Sequence, residues 1–447
     1  MDLATSLENV TVLGAGGKMG SGIALLLAVE MAKRRLDPAN RGRGYRLHLV
    51  DTSAEALDGI PGYLRAQARK IGEKTTVALR ELYAEREDLV ENGEIIQAFV
   101  DEVLDGVRLA TDAAAAKDSK LVFEAIIENP EIKVKVYRDL KKICGEEAFF
   151  LTNTSSVPIR LIDEEAGLDG RIIGYHFYNP PPVQKLVELI TTPATKPGLV
   201  ALSEELGKVL RKKLIPANDI AGFIGNGHFM RDGLHAIAEV EKLAKDRPFT
   251  EAVYMMDKVS RDFLVRPMGI FQLIDYVGLD VFKAILSVMK PNVPDPSLHS
   301  ELVDKLVAAG VKGGQYPSGA QKDGFLKYGK KGPEGVYDPE KGDYLAYDPA
   351  WCARLDETLG APPASWQPWK KLARNKQAGE LLATYFADLH ALVTPGAKLA
   401  AAYLKRSKEI GEKLVADGVA NTTEDVNGVL QNGFYHIYGP INDYVQA

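Results

Sequence analysis

The stretch that most constrains the fold of this 447-residue chain is a glycine turn between an apolar strand and an apolar helix. Residues 10–13 have the pattern of a short buried strand, residues 14–20 form the turn, and residues 21–35 predict a helix. A second predicted strand, residues 46–51, follows after a polar loop. Strand, turn, helix and strand in this order predict an α/β domain with a doubly wound, Rossmann-like parallel sheet.

The glycines of the turn are spaced for contact with a dinucleotide. A glycine turn that opens a helix lets the backbone approach a pyrophosphate, and the helix N-terminus supplies amide donors. The usual G-x-G-x-x-G spacing would need a glycine where Met19 stands, and the chain instead reads G-x-x-G-x-x-G, one residue longer. The predicted cofactor contacts in the turn are Gly14, Gly17, Lys18, Met19 and Gly20.

Asp51 ends the second predicted strand, where a carboxylate can accept hydrogen bonds from both ribose hydroxyls. Because a carboxylate there would also repel a 2′-phosphate, we expect NAD rather than NADP. A solvated aspartate at a strand end is the alternative, and the nearby Arg43 and Arg46 leave the 2′-phosphate question open.

His176 and Glu188 are the main candidates for chemistry. They lie twelve residues apart in a strand–loop–strand pattern, so they can meet across neighbouring strands. A carboxylate in that position orients an imidazole and stabilises its protonated form, and an enzyme that oxidises an alcohol needs such a base. The alternatives are a hydrogen-bonded core histidine and a structural ion pair.

Composition excludes several classes of protein. Net charge is −6 and charged residues make up 26% of the chain, so there is no strong basic field and no nucleic-acid partner is expected. The two cysteines, Cys144 and Cys352, form neither a disulfide framework nor a metal-ligand spacing, and we expect no metal and a reducing, cytoplasmic location. The apolar run 22–31 is too short to span a bilayer, so no membrane association is predicted.

Three domains are predicted along the chain. Residues 1–198 form the sheet domain, with a helical insertion over 54–107 and further strands at 121–126, 149–151, 172–174 and 186–190. Pro193 and Pro197 suggest a linker before an all-α C-terminal region of two similar helical units. These units are a substrate domain, 199–330, and a degenerate repeat of it, 331–447.

The second helical unit is predicted to be a duplication. Residues 251–275 and 424–443 carry similar features in the same order, although chance similarity between helices is the alternative. Residues 331–447 contain no glycine turn and no second His–Glu pair, so we expect a structural role for them.

Several segments in order resemble one family. The chain is similar to the L-3-hydroxyacyl-CoA dehydrogenases over roughly residues 8–290. The matching segments are 19–24, 122–129, 153–156, 176–180, 185–188, 219–226 and 275–280. The resemblance implies NAD-dependent oxidation of an L-3-hydroxyacyl-CoA, as in fatty-acid oxidation. Two departures, Gly227 and Gln184, stand where the family often has an arginine and an apolar residue.

The resemblance also implies roles for individual residues. His176 would be the general base and Glu188 its partner, while Ser155 and Asn226 would hold the substrate hydroxyl or thioester carbonyl. The residues implied to line the nicotinamide and its ribose are Glu128, Lys133 and Asn179. Ser155 could instead cap a turn, Asn226 could cap a helix, and Glu128 could only pair with Lys133.

Other functions and the assembly stay open at this point. A dehydrogenase of a hydroxy acid or sugar acid without coenzyme A could use the same fold, as could an inactive NAD-binding structural protein. A scaffold has no need of His176, Glu188, Ser155 and Asn226 together.

In single-unit relatives the helical domain makes the dimer contact, so a tandem unit favours a monomer, with a homodimer as the alternative. Coenzyme A phosphates could meet four cations on one predicted helix, which otherwise form a solvated face: Arg65, Arg69, Lys70 and Lys74.

Overall fold

The chain divides into two compact units. The computed structural model describes residues 2–316 and 319–444, and the predicted domain ends at residues 1 and 445–447 lie outside this range. The first unit is Met1–Asp219 and the second is Ile220–Ala447.

The first unit alternates strands and helices. The strands of residues 2–219 are β1 (Asn9–Leu13), β2 (Arg46–Val50), β3 (Val107–Ala110), β4 (Leu121–Glu124), β5 (Phe149–Thr152), β6 (Ile172–Phe177), β7 (Leu186–Thr191) and β8 (Lys213–Asn218). The helices are α1 (Leu3–Ser6), α2 (Lys18–Leu36), α3 (Ala54–Asp58), α4 (Ile60–Lys74), α5 (Thr76–Leu82), α6 (Asn92–Asp105), α7 (Pro130–Ile143), α8 (Ile159–Ala166) and α9 (Pro197–Val209). Short 3₁₀ turns cover Pro38–Asn40 and Ala113–Ala116.

The strands form one eight-stranded sheet in the order β3-β2-β1-β4-β5-β6-β7-β8. The strands from β3 to β6 are parallel, β7 runs antiparallel to β6, and β8 is parallel to β7. Its central strands are buried on both faces, as a sheet covered by helices requires. The predicted doubly wound, Rossmann-like sheet with its helical insertion is confirmed.

Two details of this unit differ from the sequence prediction. Helix α2 begins at Lys18 rather than at residue 21, so the last glycine of the turn, Gly20, already lies in the helix. The region 54–107, predicted as mostly helical, ends in the edge strand β3. This strand has only four residues and both central side chains are exposed, which leaves little hydrophobic pattern to detect.

The boundary between the units lies after Asp219, not after residue 198 as the linker prolines suggested. Pro197 is in the first turn of α9, where proline is well tolerated because the first helical amides have no partner within the helix. Strand β8 then pairs with β7 from Lys213 to Asn218 and completes the sheet. It was missed because Pro216 interrupts the strand pattern, although an edge strand can accommodate a proline.

The second unit is mainly helical. Its helices are α10 (Phe223–Leu243), α11 (Phe249–Lys258), α12 (Ile270–Val277), α13 (Leu279–Met289), α14 (Glu301–Ala308), α15 (Pro349–Leu359), α16 (Trp369–Leu372), α17 (Ala378–His390), α18 (Pro395–Ala416) and α19 (Thr423–Gly433), with a π-helical segment at Val259–Phe263. An antiparallel sheet that was not predicted joins β9 (Leu326–Gly329), β10 (Gly332–Asp338) and β11 (Asp343–Ala346). Because β9 and β10 pair directly, the predicted boundary after residue 330 falls inside a hairpin.

The two halves of this unit share a local hydrogen-bond pattern. Asp257 Oδ1 accepts the backbone N–H fourteen residues later at 3.0 Å, and Asn427 Oδ1 does the same at 3.0 Å. A Cβ atom on Gly269 or on Gly439 would lie 2.1 or 2.0 Å from the same Oδ1 atom, so each glycine lets its segment approach closely. These matched contacts support the proposed duplication.

Helices from both halves pack together within this unit. A buried ion pair joins Arg266 Nη1 to Asp232 Oδ2 at 2.7 Å, and the Tyr403 hydroxyl of α18 donates to the same carboxylate oxygen at 3.0 Å. A Cβ atom on Gly227 of α10 would lie 3.0 Å from a methyl group of Leu414 of α18. The small residue at position 227 therefore allows these helices to approach. None of the helices in the described residues has the length and hydrophobicity needed to cross a lipid bilayer.

Candidate active site

The candidate residues of the first unit lie around the carboxyl ends of its parallel strands. Asp51 follows β2, the glycine turn follows β1, and segments after β4 and β5 carry Glu128 and Ser155. Because parallel strands end at the same edge of a sheet, these segments are neighbours. Open α/β sheets bind ligands at this edge.

The glycine turn is shaped by close backbone contacts. Gly14 has a φ of +73°, and a Cβ atom there would lie 2.4 Å from the carbonyl oxygen of Ala125. A Cβ atom on Gly20 would lie 2.0 Å from the carbonyl oxygen of Gly14. Gly17 is the N-cap of α2, and as a glycine it provides no side-chain cap to the helix N-terminus. This arrangement fits the pyrophosphate of a dinucleotide.

Asp51 joins the end of β2 to the glycine turn. Its Oδ2 accepts the Gly16 N–H at 2.9 Å, and its Oδ1 accepts the Ser53 N–H at 3.1 Å. Arg43, one of the two arginines that left the 2′-phosphate question open, is paired with Glu8 at 3.0 Å. The hydrogen bond to Gly16 therefore holds the Asp51 carboxylate beside the glycine turn.

Glu128 organises the loop that carries Ser155. Its Oε1 accepts hydrogen bonds from the Ser155 N–H at 2.8 Å, the Thr154 hydroxyl at 2.6 Å and the Ser156 N–H at 2.9 Å. Burial alone would raise the pKa of Glu128, but the Lys133 ammonium and these donors lower it to about 2. Glu128 is thus a fixed negative charge, and it does more than pair with Lys133.

Lys133 is buried between two carboxylates. Its Nζ lies 2.7 Å from Glu124 Oε1 and 3.2 Å from Glu128 Oε2. Burial opposes its charge, but the two carboxylates outweigh this effect and raise its pKa above the usual 10.5. Glu124 also accepts the Thr152 hydroxyl at 2.7 Å. These contacts place Lys133 inside the framework that supports the Ser155 loop.

His176 and Glu188 face each other directly across β6 and β7. His176 Nδ1 lies 2.9 Å from Glu188 Oε2, and both side chains are buried. With Nδ1 protonated, the imidazole donates to the carboxylate and keeps Nε2 as the acceptor. A carboxylate in this position can fix the orientation and the tautomer of the imidazole.

The segment after His176 is held at both ends. The Phe177 N–H donates to Asn153 Oδ1 at 2.9 Å, which ties the end of β6 to the loop after β5. Asn179 follows at once, and its peptide bond to Pro180 is cis. Lys212 Nζ donates to the Gln184 carbonyl at 2.7 Å, and burial lowers its pKa to about 8. The backbone around the histidine is therefore well fixed.

Asn226 belongs to the second unit. It lies in the first turn of α10, whose N-cap is Gly222, so Asn226 is not the capping residue.

The four cations considered for coenzyme A, at positions 65, 69, 70 and 74, all lie on α4 with exposed side chains. Of these, Arg69 donates to the side chain of Gln97.

Sequence reasoning missed three residues around the site. Glu124 anchors Lys133, Lys212 holds the loop after β6, and the Tyr178 hydroxyl donates to Glu188 Oε2 at 2.8 Å. Tyr178 could have been found, because it stands two residues after His176 and directly after β6, where the strand alternation would place both on one face. Lys212 and Gln184 are 28 residues apart, and no local pattern indicates their contact.

Comparison with known proteins gives one consistent result. Residues 9–220 match the family model described as 3-hydroxyacyl-CoA dehydrogenase, NAD binding domain. Residues 222–328 match the model described as 3-hydroxyacyl-CoA dehydrogenase, C-terminal domain. Together these matches cover most of the chain, namely nearly all of the first unit and the first half of the second.

Individual relatives agree with these models. The chain is 31% identical to the mitochondrial hydroxyacyl-coenzyme A dehydrogenase of Homo sapiens over 334 residues, 74% of this chain and 91% of that protein. It is 31% identical to a probable 3-hydroxybutyryl-CoA dehydrogenase of Deinococcus radiodurans, over 71% of this chain and 99% of that protein. Because the human relative is named mitochondrial, the expected cytoplasmic location remains a prediction.

A solved structure extends the likeness in fold to the second helical half. The crystal structure of 3-hydroxybutyryl-CoA dehydrogenase from Escherichia coli aligns with a TM-score of 0.64 and 23% identity. The alignment covers 97% of this chain and 90% of that one. The fold beyond residue 328 therefore also occurs in that protein.

Proposed function

Because this chain belongs to the 3-hydroxyacyl-CoA dehydrogenase family and is an NAD-dependent dehydrogenase, we propose that it oxidises an L-3-hydroxyacyl-CoA to the 3-oxoacyl-CoA. The observation that carries the proposal is the pairing of His176 with Glu188 across β6 and β7. A buried imidazole held by a carboxylate, on a sheet that also carries a dinucleotide turn, supplies the base that alcohol oxidation requires.

In the proposed reaction, His176 takes the proton of the 3-hydroxyl at Nε2, because Nδ1 is engaged by Glu188. The Glu188 charge stabilises the imidazolium that forms. Bound NAD would supply the hydride acceptor for C3 of the substrate. Ser155 is proposed to hold a substrate oxygen, on a loop that Glu128 fixes, and Asn226 is proposed as a second such donor.

The remaining candidate residues are proposed to hold the cofactor. Asp51 accepts the ribose hydroxyls, and the turn from Gly14 through Gly17, Lys18, Met19 and Gly20 holds the pyrophosphate. Glu128, Lys133 and Asn179 are proposed to lie beside the nicotinamide and its ribose. The hydrogen bonds of Glu128 and Lys133 add a second role, which is to position Ser155.

A substrate comparison tests the proposed reaction. We expect turnover of 3-hydroxybutyryl-CoA or a longer L-3-hydroxyacyl-CoA with NAD, and little turnover of free 3-hydroxybutyrate, because remote binding energy contributes to catalysis. Replacing NAD by NADP should reduce kcat/KM, since Asp51 repels the 2′-phosphate. NADH formation at equal substrate concentrations is the measurement. Faster turnover of a free hydroxy acid or sugar acid would contradict the proposal.

We also propose that the chain is a monomer, because the repeated half of the second unit packs on α10 within the same chain. Light scattering at the assay concentration should then give a mass near 48.8 kDa. A stable mass of twice that value would show the homodimer instead.

A further inference from the structure

The Glu188 carboxylate has a second partner besides His176. The Tyr178 hydroxyl donates to Oε2 at 2.8 Å, and the same oxygen lies 2.9 Å from His176 Nδ1. The rings of Tyr178 and His176 are also in contact, with centroids 4.9 Å apart and planes inclined at 42°. One oxygen atom is therefore shared by a phenol and an imidazole that pack against each other.

We propose that Tyr178 is a positioning residue that sets the basicity of His176 through Glu188. Its hydroxyl fixes the carboxylate and takes up part of the negative charge on Oε2, which limits how strongly Glu188 stabilises the imidazolium. The inference rests on the proposed function, in which His176 must be neutral before it can accept the substrate proton.

The chemistry of Tyr178 supports a constant donor. Burial, the Glu188 charge and the hydrogen bond to Glu188 raise the pKa of Tyr178 well above its usual value. The phenol therefore keeps its proton wherever the imidazole titrates. A hydrogen bond to a charged acceptor is stronger than one between neutral groups, so the donor competes effectively for Oε2.

Titratable groups on neighbouring segments also lie beside this end of β6. Glu188 faces His176 from β7, and Tyr178 faces it from its own segment. Lys212 lies under the following loop, with Nζ 6.0 Å from the Phe177 ring centre, and burial brings its pKa to about 8. Since Lys212 can titrate near neutral pH in any variant, the imidazole must be observed directly.

The test is Tyr178→Phe, which keeps the ring contact and removes only the hydroxyl. Histidine NMR of the free enzyme follows the imidazole of His176, and its signal among the seven histidines is identified by its loss in His176→Gln. We expect the titration midpoint of His176 to rise by about 0.5–1 unit, because the phenol then no longer competes for Oε2. The pH profile of kcat/KM should move upward by the same amount, and activity should recover at higher pH.

Tyr175→Phe is the matched control. Tyr175 lies on the same strand, but its hydroxyl donates to the Ser203 carbonyl at 3.3 Å and not to Glu188, so the midpoint should not move. An unchanged or lower midpoint in Tyr178→Phe, or a rate loss equal at every pH, would overturn the role of Tyr178. If the unaltered enzyme does not oxidise the thioester, the proposed function fails while the NMR titration still decides this inference.

Discussion

Replacing His176 by alanine should lower turnover by about 10²–10⁴-fold, the usual contribution of a general base. Without the imidazole, the 3-hydroxyl proton has no acceptor when hydride leaves C3. NAD should still bind, because the glycine turn and Asp51 are separate from the imidazole. Steady-state kinetics give the loss in kcat, and fluorescence titration with NADH gives the cofactor affinity.

The control for this variant is the other histidine of the first unit. His48 lies on β2, half-buried and outside the His176–Glu188 pair, and His48→Gln should keep most of the activity. His176→Gln separates geometry from chemistry, since an amide can bond to Glu188 but is not a base. Turnover within tenfold of the unaltered enzyme in both His176 variants would show that another group takes the proton.

Lys133→Met should destabilise the first unit by about 3–5 kcal/mol, the usual cost of removing one partner of a buried ion pair. Glu124 is completely buried. Removing the Lys133 ammonium would take away the nearest compensating positive charge of both Glu124 and Glu128. Urea unfolding followed by circular dichroism measures the loss of stability. Hydrogen exchange of β4 and β5 peptides assigns it to the first unit. The three tryptophans report separately on the second unit, because all lie between residues 351 and 369.

Lys135→Met is the control, on the exposed side of the same helix, and should change stability by no more than about 0.5 kcal/mol. The pH dependence adds a second check. The folded-state pKa of Glu128 is about 2 and its ordinary value is 4.5, so its stabilisation is present above pH 4.5 and is lost as the pH falls through 2. Equal unfolding of both lysine variants would mean that the buried ammonium is not required.

The sequence predicted the parts of the fold whose patterns are local. The strand, turn and helix from β1 to α2 are present because buried apolar runs and glycine spacing specify them without help from distant segments. The edge strands β3 and β8 were missed for the opposite reason. Their pairing depends on neighbours far away in sequence, and exposure or a proline hides the usual strand pattern.

In the candidate site, too, local features could be predicted and contacts between distant segments could not. The pairing of His176 with Glu188 could be predicted, since two strands joined by a short loop place them in one register. The network that fixes Ser155 could not be predicted. Glu128 follows β4, but its donors Ser155 and Ser156 lie on the segment after β5, more than twenty residues along the chain. The spacing of residues within one segment does not predict contacts with a distant segment.

The two outer strands of the eight-stranded sheet also bear on how the protein behaves at high concentration. An open sheet edge can recruit a strand from a neighbouring molecule and begin aggregation. On one side Pro216 offers no amide proton to an incoming strand, and on the other the short strand β3 presents the exposed charge of Arg108. Both edge strands therefore oppose the addition of a strand from another molecule, which favours a protein that stays dispersed in a crowded solution.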